Sequence, residues 1–153
     1  WSANSASMSF TPIPVSELLP RDNLASQLNI RYVDGGEDYV LLEVTLDERH
    51  LNFMGKCHGG VVFALADTAL GLACNAKGNL SVAIDAHITF VKAVSVGDVL
   101  RARATHIASS RKTAVYNVEI FRKGEALATF TGTVFKTGKE LCEHLPDSLL
   151  NQN

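Results

Sequence analysis

The chain has 153 residues, 46% of them hydrophobic and 20% charged, and its 14 Lys and Arg against 16 Asp and Glu leave a net charge of −2. A single domain of this size buries about 68–70% of the surface its unfolded chain exposes, enough for a core without metal or disulfide staples. So apolar and nearly neutral a composition excludes disorder. It also lacks the concentrated basic surface with which nucleic acid or an anionic membrane is bound.

Trp1 to Ser7, ahead of Met8, reads as an expression-tag remnant, residues 8–138 as one domain, and residues 139–153 as a polar C-terminal tail. The start carries no basic segment followed by an apolar core, so no signal peptide is expected. The longest apolar stretch, Val61 to Ala66, stops at Asp67, far short of the roughly 20 residues a bilayer needs. Cys57, Cys74 and Cys142 are odd in number, with no C-x-x-C pair, as reduced thiols of a cytoplasmic protein would be. Cys57, His58 and Cys74 have no recognised metal-site spacing, and no metal is expected.

Along the chain, Pro12, Pro14 and Pro20 break the start, and Asp22 or Asn23 can cap a short helix running to Leu28. Asn29–Val33 and Tyr39–Leu46 read as a hairpin about Asp34-Gly35-Gly36, which offers the positive φ values of a tight turn. A loop from Asp47 to Cys57 leads to His58-Gly59-Gly60 and a long helix over about Gly60 to Ala76. Val82, Ile84, Ala86, Ile88 and Phe90 then alternate with polar or small residues, a period of two that predicts a strand with this set turned inward. Three more strands follow, near Val99–Ala108, Thr113–Arg122 and Ala126–Phe135, joined by turns short enough to require antiparallel neighbours.

The long helix carries one charge, Asp67, and is apolar on nearly every side, so it must be covered all round. An α+β fold, with an antiparallel sheet of five or six strands curled about this helix, satisfies that demand, and a partner chain would cover the rest. An unpartnered carboxylate in apolar surroundings is rarely kept without a task. At the helix entry, His58-Gly59-Gly60 presents bare amide N–H groups that can approach a carbonyl oxygen and stabilise developing negative charge. Gly59 and Asp67 are eight residues apart, about 12 Å along one helix. A reacting atom must lie within about 3 Å of both groups. If they cooperate, the Gly59 end of one helix meets Asp67 of a second copy in a two-fold dimer.

The run from Asn52 through His58-Gly59-Gly60 to Asp67-Thr68-Ala69 resembles the signature of hotdog-fold acyl-CoA thioesterases of the phenylacetic-acid-degradation (PaaI-like) type, with the likeness extending over roughly residues 29–136. The resemblance implies dimers with a continuous sheet, paired into homotetramers, and hydrolysis of an aromatic or medium-chain acyl-CoA thioester with no cofactor, coenzyme A being part of the substrate. It implies that the Gly59 N–H polarises the thioester carbonyl and that Asp67 of the other subunit attacks it or activates water. Asn52 would orient the carbonyl or hold the water, and His58 would fix the loop or bond near the sulfur, with Gly60 beside it. Ala83 stands where some relatives place a water-positioning serine, so that role is vacant or passes to Ser81 or Thr68. Asn23 lies near the place of an asparagine that another subset uses.

The coenzyme A phosphates must be met locally, and Arg111 and Lys112, in a turn after Ser109 and Ser110, are the leading cations, with Lys92, Arg101 and Arg103 behind them. Asp85 and His87 share a strand face and could form the acid/base pair of a dehydratase or hydratase, but that face is opposite the inferred helix side. A non-catalytic acyl-CoA-binding module would use the same pocket, and the retained Asp67 favours hydrolysis over it.

Overall fold

The structure, a computed structural model, describes residues 9–146; the expected tag remnant and the end of the expected tail lie outside these. Two short helices, α1 (Val15–Leu18) and α2 (Asn23–Gln27), precede the strands β1 (Arg31–Gly36) and β2 (Tyr39–Thr45). The long helix α3 (Gly59–Asn75) follows, then β3 (Asn79–Phe90), β4 (Val99–Ser109), β5 (Thr113–Arg122) and β6 (Glu125–Glu140). All pairings are antiparallel, in the order β1-β2-β4-β5-β6-β3. One six-stranded sheet thus wraps the long helix, the hotdog arrangement expected from the sequence.

The core forms where alternate strand residues meet the helix. Val40, Leu42 and Val44 of β2, Leu100, Ala102 and Ala104 of β4, Val118 and Ile120 of β5 and Phe130 of β6 are all fully buried, facing Leu65, Ala66, Ala69 and Leu70 of α3. Each such Val, Leu, Ile or Phe contributes about 1.5–3 kcal/mol. The helix lies so close at mid-sheet that a Cβ on Gly132 would come 2.7 Å from Leu70 Cδ2.

Several elements differ from the sequence expectation. The β1–β2 turn falls at Glu37 and Asp38, not at Asp34-Gly35-Gly36. Asp38 takes a positive φ of 59° there. It is held by long-range partners: its carboxylate accepts from Tyr116 and from Lys77 Nζ (2.9 Å), and its carbonyl from the His106 N–H (3.2 Å). Gly35 packs closely, since a Cβ there would lie 3.2 Å from the Tyr32 ring and 3.4 Å from Val15. In β3, a bulge between Ala83 and Asp85 breaks the ten-residue alternation. Ala86, Ile88 and Phe90 oppose Gly132, Phe130 and Ala128 on the helix side, whereas Val82 opposes Phe135 on the outer face. β6 runs past the expected domain end at Gly138 to Glu140, and Leu141 beyond it is buried.

The helix is not covered all round by its own chain. Gly60, Ala64, Asp67, Thr68 and Gly71 form a stripe of mostly small residues along one open side. At the sheet margin, β3 is an edge strand whose residues from Val82 to Phe90 are exposed on both faces apart from the half-buried Ile88. Among the described residues, no helix is long and apolar enough to cross a membrane.

Candidate active site

The entry to α3 is built by a tight loop. The Asn52 side-chain carbonyl accepts from the N–H groups of Met54 (2.9 Å) and Lys56 (3.1 Å), and its backbone N–H donates to the Lys56 carbonyl at 2.7 Å. Gly55, at φ 72°, permits the reversal. Asn52 Oδ1 is thereby committed to the loop, and its Nδ2 is the part left to act as a donor to another molecule. The loop is tied down behind by His50, which is buried, accepts from the Asp47 N–H at Nδ1 (2.9 Å) and donates from Nε2 to the Leu28 carbonyl (2.8 Å). The His50 carbonyl accepts the His58 N–H at 2.8 Å.

His58 caps the helix. Its Nδ1 accepts the Gly60 N–H at 2.8 Å, and its carbonyl accepts the Val61 N–H at 3.0 Å. Nδ1 therefore carries no proton, and in the neutral ring Nε2 is the donor. A Cβ on Gly60 would lie 2.8 Å from that Nδ1, so glycine is what lets the ring close over the amide. Of the first three N–H groups, that of Gly59 is left without an acceptor among the described residues, at the positive end of the helix dipole. The Phe90 ring flanks it, 3.3 Å from where a Gly59 Cβ would sit.

Asp67 opens into a cleft of about 600 Å³ that it shares with Thr68 and Gly71 and, from the N-terminal segment, Leu18, Arg21 and Asp22. Among the described residues nothing hydrogen-bonds its carboxylate. Partial burial, and then the neighbouring Asp22 carboxylate, raise its pKa above the ordinary aspartate range. Asp22 is itself held in place as the α2 cap, accepting from the Ala25 N–H at 2.9 Å. Arg21 Nη1, also on this side, is buried without a partner. Sequence reasoning found Asp22 as a cap but missed that the cap faces Asp67, and it missed His50 altogether; the Asp47–His50 capping box is a local signal that could have found it, whereas its bond to Leu28 and the facing of Asp22 and Asp67 have none.

The remaining candidates divide. Thr68 lies beside Asp67 in the cleft, whereas Ser81 and Ala83 do not line it. Ser81 is buried, its Oγ donating to the Asn79 carbonyl (2.9 Å) and its backbone clamped by the Asn75 side chain. Arg111 and Lys112 are exposed in the β4–β5 turn and, among the described residues, in no ion pair. Lys136 Nζ donates to the carbonyl of Ser110 in that turn, and Lys136 pairs in register with Ser81. The turn therefore sits near the Asn75 end of α3, far from Gly59 of the same chain. Lys92, Arg101 and Arg103 already pair with Glu125, Glu43 and Glu119. Asp85 and His87 lie on the outer face opposite Thr133 and Thr131, with Asp85 accepting from the Thr133 N–H (3.2 Å) and the His87 ring bonded to Thr89, so they form no pair with each other or with the helix side. Cys57 and Cys74 stand at opposite ends of α3 and cannot share a metal. Burial raises the pKa of the Cys57 thiol, and it lifts that of Cys74 to about 12, so neither is a poised nucleophile.

A single six-stranded antiparallel sheet wrapped on one long helix defines a hotdog fold, and the open Gly59 amide and the Asp67 carboxylate lie on that helix. The thioesterase superfamily model matches residues 54–129. A putative esterase of Archaeoglobus fulgidus is 37% identical over 120 residues, covering 78% of each chain. The acyl-coenzyme A thioesterase PaaI of Escherichia coli is 34% identical over 118 residues, covering 76% of this chain and 84% of that one. The PaaI structure superposes with a TM-score of 0.77 at 32% identity, over 81% of this chain and 91% of that one. The structure of smu.793 from Streptococcus mutans, bound to acetyl CoA, superposes at 0.69 with 28% identity, over 73% and 91%. The chain belongs to the thioesterase superfamily and is a thioester hydrolase. Within that family PaaI is among the proteins to which it is similar.

Proposed function

We propose that this chain hydrolyses the thioester of an aromatic or medium-chain acyl-CoA to free acid and coenzyme A, at sites assembled between two copies. The observation that carries the reading is the Gly59 N–H, left open because His58 takes that of Gly60. Relatives named acyl-coenzyme A thioesterase and a neighbour bound to acetyl CoA support the substrate class.

In this reading the thioester carbonyl accepts the Gly59 N–H of one protomer, where the helix terminus stabilises the oxyanion as it forms. Asp67 of the other protomer either attacks the carbonyl carbon or takes a proton from the water that does, and Thr68 Oγ beside it helps hold that water. The C–S bond then breaks and coenzyme A leaves as the thiolate, to be protonated; where Asp67 itself attacked, the acyl group is left on it as a mixed anhydride, which water hydrolyses to release the free acid and restore the carboxylate. Asn52 Nδ2 and His58 Nε2 lie on the Gly59 side as donors toward the carbonyl and the sulfur. These steps call for no metal or cofactor. Gly59 and Asp67 of one chain are about 12 Å apart along the helix, and two antiparallel helices related by a two-fold axis remove that gap. The same axis brings the turn with Arg111 and Lys112 of one chain toward the Gly59 end of the other, where the coenzyme A phosphates would lie.

Two surfaces support the dimer, and pairs of dimers would give the tetramer. The open stripe of small residues on α3 lets a second helix approach, and the long exposed β3 edge, with Asp85 its one charged carboxylate, is unprotected against pairing with a second β3. The free thiols of Cys57, Cys74 and Cys142 agree with a cytoplasmic location. The test is thiol release from a panel of acyl-CoAs by wild type and Asp67→Ala. Release lost in the variant, with acyl-CoA still bound, is expected. Undiminished release removes Asp67 from the mechanism, and tight binding without release in the wild type makes the protein a binding module.

A further inference from the structure

A second hollow, about 420 Å³, lies under the first turn of α3, between the helix and the sheet. Lys56, Cys57 and Gly59 stand at one side of it, while Val62, Leu100, Ile120 and Ala128 line its interior. Leu100, Ile120 and Ala128 expose almost no surface, so they close the floor of the hollow. Val94, on the β3–β4 connection, and the Phe90 ring complete its wall. Gly59 thus belongs to this cavity and also carries the open N–H.

Resting on the acyl-CoA reading above, we propose that the acyl group of the substrate occupies this cavity within one protomer, and that Ala128 and Val94 set the length it accepts. A carbonyl bonded to the Gly59 N–H has two substituents, and one of them can enter the hollow beside it. The thiol side is a chain of amides ending in phosphates; the residues that floor the cavity, Val62, Leu100, Ile120, Leu127 and Ala128, are all apolar and offer those amides no side-chain partner, while the lysines of its lining, Lys56 and Lys92, are exposed at the surface. The acyl side is hydrocarbon, and each methylene buried raises binding roughly fourfold. The cleft at Asp67 is a poor alternative, because Arg21, Asp22 and Asp67 charge its walls and the second helix approaches there. At roughly 30 Å³ per water-sized group, 420 Å³ holds on the order of a dozen carbons. That admits medium-chain and arylacetyl groups and turns away long chains.

The experiment measures kcat/KM over a series of saturated acyl-CoAs for wild type and Ala128→Leu, with the inhibition constant of free coenzyme A and direct binding of decanoyl-CoA alongside. Wild-type kcat/KM rises with chain length and falls beyond about a dozen carbons. Ala128→Leu, which adds three carbons at the floor, moves the optimum about three carbons shorter and leaves coenzyme A inhibition unchanged. Val94→Phe narrows the cavity from a surface connection and shortens the optimum in the same sense, should Ala128→Leu fail to fold. An unmoved length profile in a folded variant overturns the inference alone, as does a tenfold weaker coenzyme A, about 1.4 kcal/mol, which would place the thiol side in the cavity. Absence of turnover, with decanoyl-CoA binding that still depends on Ala128, overturns hydrolysis and leaves the cavity assignment standing.

Discussion

Gly59→Pro deletes one hydrogen from the site and little else. Gly59 is the first residue of α3, where proline's fixed φ and missing N–H both fit. His58 before it stands at φ −66° and ψ 127°, the extended conformation that a residue preceding proline adopts. The Gly60 and Val61 N–H bonds to His58 are untouched. A Cβ would meet the Phe90 ring at 3.3 Å, a tight contact, but that ring is 55% exposed and can yield. Reduced freedom of the unfolded chain returns about 0.4–1 kcal/mol, so the melting temperature should stay within a few degrees of wild type. Loss of one preorganised oxyanion donor removes about 2.7–4 kcal/mol of transition-state stabilisation, roughly 10²–10³ in kcat. Gly59→Ala keeps the N–H with the same crowding of Phe90 and should retain most activity. The assay is steady-state thiol release for both variants, with thermal unfolding to establish the fold. A folded Gly59→Pro protein with kcat within about threefold of wild type would refute the assignment of this amide.

Asp22→Asn keeps a good helix cap and removes the like charge facing Asp67. A raised pKa holds Asp67 protonated, and so inactive, to higher pH; removing Asp22's charge should move the acid limb of the kcat/KM profile to lower pH, and an upward shift contradicts the geometry. His50→Ala strands the Asp47 N–H and the Leu28 carbonyl and leaves a void, a loss of about 2–3 kcal/mol that calorimetry should read as a fall of roughly 4–12 °C in Tm. A change below about 1 °C would mean that the ring does not anchor the loop. Charge reversal of Arg111 and Lys112 together should raise KM for acyl-CoA far more than it lowers kcat, and an unchanged KM would reject them as phosphate contacts.

What was legible in the chain was what local chemistry decides. The helix, expected over about Gly60 to Ala76, forms over Gly59–Asn75, because His58 supplies the cap that the loop before it lacks. β5 starts and ends where turn residues dictate, and Lys123-Gly124, both at positive φ, make the last hairpin. The failures share one cause. Asp38 is a turn residue because Tyr116, Lys77 and His106 reach it from distant segments, which a local reading of Asp34-Gly35-Gly36 cannot anticipate. The bulge at Ile84 reverses the faces of β3 without any glycine or proline to mark it. At the site, His58-Gly59-Gly60 announces bare amides, but which one stays open depends on where the His58 ring turns. The facing of Asp22 and Asp67 depends on how the N-terminal segment folds over α3.

Subunit mixing tests most directly the claim that each site draws Gly59 from one chain and Asp67 from another. Asp67→Asn and Gly59→Pro proteins, each inactive as a pure species, are mixed in equal amounts under conditions in which mass spectrometry confirms exchange of subunits. Random pairing makes half the dimers mixed, and each mixed dimer holds one site with both groups intact. About a quarter of wild-type activity should therefore return. Verified exchange without recovery of thiol release would contradict the shared site and leave the two groups to act, if at all, within one chain.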